Sequence, residues 1–479
     1  MNYELLKKTE QKSQLTIDNS QFTIKKMNVA AIFDIGKTNK KVFLFDENYK
    51  IVWEKSINLD ETVDEDGFPC EDIEVLKNWV FERLSEIKTL TNYVLKAINF
   101  STYGASFVYI DKEGKVLTPL YNYLKNYPED LKNDFYKKYK GEEVFAVKTA
   151  SPVLGSLNSG MQIYRFKEEK PDLFEKVKYC LHLPQFLSFL LTNEAYADIT
   201  SVGCHTNLWN FKKMKYHKWL KSEGISVKIP PFHYGKDTIK NQDGLAVGAG
   251  LHDSSSAIIP YTINFTEPFV LLSTGTWSIS LNPFNNKPLT FEELQHDCLC
   301  YLQYTEKPVK AARLFSGNEH EIQTKRLAEH FNVPVDTYKD VYFDKNVVSN
   351  LRALNFQIIY PKKYNFDILK ECPFQKRELS IFKSYETAYH QLMLDLVEQQ
   401  VFSTNLVIRN SPVKKIFVDG GFSKNSIFMN LLAEAFPDVE VYAASMAQAS
   451  ALGAALAIHQ NWNPKPIQND LIDLKFYKH

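Results

Sequence analysis

The sequence predicts an α/β protein of two domains with a cleft between them, and three observations carry that expectation. A strand, a small polar tip and a second strand occupy 29–46, "VAAIFDIGKTNKKVFLFD". The same device recurs at 268–282, "PFVLLSTGTWSISLN". The third observation is "KKIFVDGGFSKNSIFMNLLAEAF" at 414–436, a buried strand, a double glycine and an amphipathic helix. Each hairpin opens a half of the chain in which strands and helices mix. Such halves form sheets covered by helices, and ligands bind preferentially between domains.

The elements follow in order. Residues 1–27 are polar and without period, and a frayed tail is expected there. A domain at 28–262 begins with the first hairpin. Residues 72–95 read as a helix with Ile73, Leu76, Val80, Leu84 and Ile87 on one face. "KAINFSTYGASFVYID" at 96–111 gives two strands broken at Gly104, and "NSGMQIYRFKEEKPDLFEKV" and "LPQFLSFLLTNEAYAD" read as helices. A second domain at 263–463 begins with the second hairpin. In its 414–436 segment Ser423 is the expected N-cap of a helix whose apolar face is Ile427, Phe428, Leu431, Leu432 and Ala435. A strand, "VEVYA", and a small-residue helix, "AQASALGAALAIH", follow, and 464–479 reads as a tail.

Composition narrows the function. The 57 basic and 57 acidic residues balance, which argues against a general nucleic-acid or anionic-membrane binder. No run approaches the ~20 apolar residues that span a bilayer, and "MNYELLKKTEQKSQ" lacks the apolar core of a secretory signal. The six cysteines form no C-x-x-C pair, so a reducing, cytoplasmic setting is expected. His182, His205 and His252 are not spaced as a metal site. Glycine is scarce, 18 in 479 residues, so its positions carry information. Eight of the 18 stand at Gly36, Gly104, Gly248, Gly250, Gly275, Gly420, Gly421 and Gly453, inside the segments that matter below.

The triplet "GKT" at 36–38 invites comparison with the nucleotide-binding phosphate loop, but that motif needs a helix after it. Here "KVFLFD" follows, short and apolar, which is a strand. The polar hairpin tip suits another chemistry. Backbone N–H groups of Gly36, Lys37, Thr38 and Asn39 on one tip, and of Thr274, Gly275 and Thr276 on the other, hold a triphosphate from both sides. Asp34 ends the first strand where it binds Mg²⁺ directly or through water. Gly420 and Gly421 let an adenine lie flat against the backbone before a helix, with Asn425 beside it. Each feature alone is a common turn; the three in this order point to a nucleotide.

These residues resemble the FGGY carbohydrate kinases, of the actin/hexokinase-like (ribonuclease H-like) superfamily of ATPases, over about 28 to 460. "DIGKTNKK" is similar to the family's first phosphate segment, "LLSTGTWSIS" to its second, "VDGGFSKN" to its adenosine segment and "AQASALGAA" to its closing helix. "GLHDSSSA" at 250–257 resembles the segment carrying the family's catalytic aspartate, here Asp253. The segment "KEEKPDLFEKVKYCLHLPQFLSFLLTNEAYADITSV" follows the family's connecting pattern. Lys37 stands for a small residue, Asn39 for serine and Gln448 for glutamate. In the sugar-binding segment, "STYGASFVYID", Tyr103 stands for tryptophan and Ser106 for aspartate. "HD" before small residues, with "TGTW", resembles the rhamnulose and fuculose kinases. The resemblance thus implies two actin/hexokinase-like domains with an interdomain catalytic cleft. It also implies ATP with Mg²⁺, and a ketose or deoxyketose held by His252, Tyr103, Gly104 and Ala105.

The chemistry asks for the same groups. Moving a γ-phosphoryl group needs charge neutralisation, in-line positioning and an acceptor for the hydroxyl proton. A carboxylate beside the hydroxyl serves the last need, and Asp253 is the choice, although Asp also caps helices well. The expected partners are a sugar and ATP, with no nucleic acid and no membrane, and a homodimer is left open. The rivals are a kinase for another sugar or polyol, such as xylulose, and a non-catalytic sensor on the same scaffold that has lost Asp253 or Asp34.

Overall fold

The computed structural model describes residues 26–355, 366–446 and 448–478. Residues 1–25 of the expected tail lie outside them.

Two seven-stranded sheets form the frame. In the first, strands Met27–Ile35, Lys40–Asp46 and Ile51–Ile57 run antiparallel in sequence order. On its other side Met27–Ile35 pairs in parallel with Tyr93–Thr102. In the second, Phe269–Thr274, Ser278–Asn282 and Pro308–Leu314 repeat the antiparallel series, and Phe269–Thr274 pairs in parallel with Lys415–Gly420. The two halves are therefore built alike around their hairpins.

A parallel pair needs a crossover, and a helix supplies it. In the first half it is Ile73–Thr89, capped by Asp72, with Ile73, Leu76, Trp79, Val80, Leu84 and Ile87 buried. The helix stops at Thr89 rather than at 95. Residues 93–96 instead begin the Tyr93–Thr102 strand, because pairing with Met27–Ile35 offers their backbone groups partners that a longer helix would forfeit. The first strand of the hairpin alternates perfectly. Val29, Ala31 and Phe33 pack on the side of the Ile73–Thr89 helix. Ala30 and Ile32 pack on the other side against Ala451, Ala454 and Ala455. Both faces are covered, as in parallel sheets generally.

That second layer crosses the halves. The closing helix Ala449–Ala457 follows the second sheet in sequence but lies on the first. It passes so close to the Asp253–Ala257 helix that a Cβ on Gly453 would sit 1.9 Å from the Ser256 carbonyl oxygen. Ser256 Oγ donates to the Ser450 carbonyl at 2.7 Å. Further findings revise the expected elements. The helix after the double glycine begins at Ser426, and its cap is Asn425, whose side chain accepts from Phe428 N at 3.0 Å. Ser423 instead donates to the Gly420 carbonyl, inside a short 3₁₀ turn, Gly421–Lys424. The expected tail at 464–479 contributes a strand, Asp473–Tyr477, antiparallel to Glu440–Ser445.

Candidate active site

Three groups of side chains gather the expected site residues. The first lies at the end of the opening strand. Asp34 is largely enclosed, and its Oδ2 accepts from Ser450 Oγ of the closing helix at 2.9 Å. Burial pushes its carboxyl up to about 6, the Asp253 charge adds to that, and Ser450 and Lys41 oppose it. Asp253 is near enough to Asp34 to act on it electrostatically, and Ser450 reaches Asp34 because the 449–457 helix packs on the first sheet beside the 253–257 helix. Thr38 and Asn39 are exposed at the tip, and Gly36 N donates to the Asn39 carbonyl at 3.0 Å. Lys37 turns aside to an ion pair with Glu61. The lysine that faces Asp34 is Lys41, opposite it in the hairpin register. Alternation along the second strand was the signal that could have singled it out. Lys40 is fully buried, donates to the Lys37 carbonyl at 2.9 Å and pairs with buried Glu71 at 2.7 Å.

The second group surrounds Asp253. This residue opens the helix Asp253–Ala257, but its carboxylate does not cap it: Oδ1 accepts from the adjacent Ser254 N at 2.5 Å and Ser254 Oγ at 3.2 Å. The side chain is 39% exposed. His252 beside it is buried, its ring stacked on Tyr301 of the second sheet at 5.6 Å. Its Nε2 lies 3.2 Å from Cys204 Sγ and 3.4 Å from Asp253 Oδ1, while Nδ1 is buried without a protein partner. Burial lowers the imidazole below its usual range against the pull of Asp253, so it is neutral at pH 7. Gly104 abuts this ring, where a Cβ would sit 2.6 Å from it. Ala105 has a left-handed backbone, φ 59°, and its carbonyl accepts from Gln162 Nε2 at 2.6 Å.

Tyr103 is a correction. Its ring is buried in the first-half core and its hydroxyl donates to Glu71 Oε2, so it offers no face to a sugar. Tyr123, half-buried, has its phenol raised by burial and then by the Asp253 charge. Tyr103 and Tyr123 touch, with ring centroids 6.0 Å apart. His182 and His205 also come near His252, with burial holding both near 3, so they line the site as neutral groups.

The third group is a cavity of about 410 Å³ in the second half. Thr274, Gly275, Gly421 and Asn425 line it together with Gly317, His320, Tyr338 and Tyr342. The first glycine of the pair is required by its protein neighbours. Gly420 has φ 89°, and a Cβ there would sit 1.9 Å from the Thr274 carbonyl oxygen. The Thr274 hydroxyl is spent locally, donating to the Asp419 carbonyl and accepting from Phe422 N at 3.0 Å. Asn425 is also committed, since besides capping its helix it donates to Tyr389 Oη at 2.7 Å. Tyr389 in turn meets His320 Nε2 at 2.9 Å. Gly275, Thr276 and Trp277 are exposed at the second tip. Trp277 lies under Arg313, which is 5.3 Å from its ring and paired with Asp297.

Among the described residues no helix is long and apolar enough to cross a membrane. All six cysteines are free and buried.

This arrangement has counterparts. The profile of the FGGY family of carbohydrate kinases, N-terminal domain, matches residues 29–255, and that of Carbohydrate kinase FGGY, C-terminal domain, matches residues 266–466. The chain is 26% identical over 263 residues to a rhamnulokinase of Mannheimia succiniciproducens, a match spanning 53% of each chain, about half the length of that relative. It is 22% identical over 450 residues to a rhamnulokinase of Oceanobacillus iheyensis, covering 88% of this chain and 90% of the other. A probable L-xylulose kinase of Haemophilus influenzae is 22% identical over 476 residues, covering 93% of each. Among solved structures, a carbohydrate kinase from Novosphingobium aromaticivorans superposes with a TM-score of 0.76 at 23% identity over 95% of this chain and 94% of that one. A xylulose kinase from Lactobacillus acidophilus does so with 0.76 at 16%, over 94% of each. Two sheet-based α/β domains with repeated hairpins, matched by both halves of one family across most of their length, place this chain in the FGGY family of carbohydrate kinases.

Proposed function

We propose that the chain is an ATP-dependent kinase that transfers the γ-phosphoryl group of ATP to a hydroxyl of a ketose or deoxyketose of the L-rhamnulose or L-fuculose kind. The observation that carries this reading is the pair of neighbouring carboxylates on separate elements, Asp34 enclosed and Asp253 half-exposed, the second acting electrostatically on the first. Asp253 Oδ2 takes the sugar hydroxyl proton while that oxygen bonds to the γ-phosphorus. The bond from phosphorus to the bridging oxygen breaks and ADP leaves. Asp34 fits a divalent cation: its carboxyl is held up to about 6 by burial and by Asp253, and a cation relieves both. Mg²⁺ held there with the phosphates supplies neutralisation of their charge.

The exposed tips, Thr38 and Asn39 on one hairpin and Gly275 and Thr276 on the other, offer N–H and hydroxyl groups to the phosphates, and Lys41 adds charge. The adenosine moiety belongs in the cavity of about 410 Å³ beside Gly421, within the usual range for ligand pockets. The sugar belongs beside Asp253, next to the Nε2 edge of His252, which lies 3.4 Å from the Asp253 carboxylate. Closure of the halves on sugar excludes water from the γ-phosphate. A cytoplasmic setting is supported by six free thiols. A sensor that has lost Asp34 or Asp253 is disfavoured because both are in place. L-Xylulose is the second reading for the sugar, since that kinase's resemblance runs over more of the chain at the same identity.

ADP release measured against L-rhamnulose, L-fuculose, L-xylulose, D-xylulose and glycerol is expected to give the highest kcat/KM with a deoxyketose. A preference for L-xylulose would move the substrate and leave the reaction. Sugar binding without ADP release from any of them would make the chain a sensor. Within the site, Gly104→Ala drives a methyl into the His252 ring and is expected to raise KM for the sugar by about tenfold or more while KM for ATP stays within about twofold. Equal changes in both would separate His252 from the sugar.

A further inference from the structure

The chain balances 57 basic against 57 acidic residues overall, but not everywhere. A concave cavity of about 770 Å³ lies in the helical part of the first half, remote in sequence from both hairpins. Lys148 of the Glu142–Thr149 helix and Lys213, Lys215, Lys218 and Lys221 of the 209–222 segment line it, and the lining includes no acidic residue. Lys140 and Lys212 stand close enough to act electrostatically on Lys148. None of these seven lysines forms a salt bridge or a side-chain hydrogen bond among the described residues. Glu223, which follows the 209–222 segment, is held instead by Lys138, Lys167 and Tyr139.

Two further observations mark the cluster as uncompensated. Lys148 is half-buried and lowered from its ordinary value by burial and then by four lysines, with no carboxylate among the causes. His217, in the wall of the cavity, is pushed down to about 4 by burial and then by Lys148, Lys218 and Lys213, so it adds no charge at neutral pH. Gathering like charges around a hollow destabilises the protein unless an anion fills it.

We propose that this cavity is a second binding site, separate from the cleft, for a small anion with several phosphate charges. The ammonium groups offer charge-assisted hydrogen bonds to phosphate oxygens, and Asn210 on the rim adds an amide. Concavity and volume suit a compact polyphosphate rather than an extended polymer, and the balanced net charge gives the rest of the surface no long-range pull on nucleic acid. The site also touches the junction between the halves. Phe211 N donates to the Lys148 carbonyl at 3.0 Å, and Cys300 N of the second sheet donates to the Ala150 carbonyl, just past the same helix, at 3.1 Å. An occupant therefore ties together the two segments of the first half that abut the second.

Titration calorimetry with tripolyphosphate, without Mg²⁺ and at low salt, tests the site. Wild-type protein is expected to bind an equivalent that Lys213→Gln/Lys218→Gln, and separately Lys148→Gln, weaken by about tenfold or more. The free variants are expected to melt no lower than wild type, since each removes a repelled charge, and to keep basal turnover. Binding should fall steeply between about 50 and 300 mM salt. Tripolyphosphate binding identical in wild type and variants would place the anion elsewhere and overturn the proposal. So would variants that melt markedly lower, which would make the lysines structural. A single-stranded oligonucleotide that displaces tripolyphosphate at far lower concentration would overturn it in favour of a polynucleotide face.

Discussion

Asp253→Asn is expected to cut turnover by about 10²–10⁴-fold, equivalent to roughly 3–5 kcal/mol of barrier, because asparagine keeps the shape and some hydrogen bonding but accepts no proton. Binding should be far less affected. The cavity proposed for adenosine is built from the second half, and His252, proposed to meet the sugar, packs against Gly104 and Tyr301. Stability should change by no more than about 1 kcal/mol. The structure sharpens this expectation, since the carboxylate caps no helix and its close contacts are with its sequence neighbours, hydrogen bonds from Ser254 and His252 Nε2 at 3.4 Å. Steady-state kinetics, calorimetry with sugar and a thermal melt together decide the matter. A folded variant that keeps most of its turnover would show that another group takes the proton.

Asp34→Asn is expected to do two opposite things. Turnover should fall by about 10²–10³-fold, as when a charge-stabilising group is removed from a polar transition state. The ligand-free protein should become more stable at pH 7.5. An acid whose folded pKa is about 6 against 3.8 unfolded penalises the folded state above pH 6. That penalty fades as pH falls and is gone below 3.8. The difference amounts to about 1–3 kcal/mol. Ligand-free wild type should therefore gain stability from pH 7.5 to 4 through this group, and the variant should lack that gain. Mg²⁺ with ATP should stabilise wild type more than the variant. Near-normal turnover of Asp34→Asn at saturating Mg²⁺ would reduce the opening hairpin to a turn. An unchanged melt profile across pH would mean that Asp34 is not held in a costly state.

The sequence by itself determined the elements whose causes are local. Short, continuous apolar runs wrote Val29–Phe33 and Phe269–Leu272 as strands. Glycine and polar residues wrote the tips at Gly36 and Gly275, and the helical period wrote Ile73–Ile87 and Ile427–Leu432. Their order along the chain pointed to a nucleotide and to Asp34, and the resemblance to the FGGY kinases nominated His252 and Asp253. Only the tertiary structure decided what depends on partners distant in sequence. Tyr103 was turned into the core because buried Glu71, already paired with Lys40, offered its hydroxyl an acceptor, and Tyr123 was left within electrostatic reach of Asp253. Lys37 was drawn away to Glu61 while Lys41 took the place beside Asp34. Gly317, His320 and Tyr338 of the cavity proposed for the nucleotide carry no motif, since they are brought there by the packing of the Ser316–Phe331 helix on Tyr389 and Phe422. Most consequential is the closing helix. Its small residues announced a close packing but not against what, and burial of Ala451, Ala454 and Ala455 on the first sheet is what carries Ser450 to Asp34 and seats the Asp253 helix beside it.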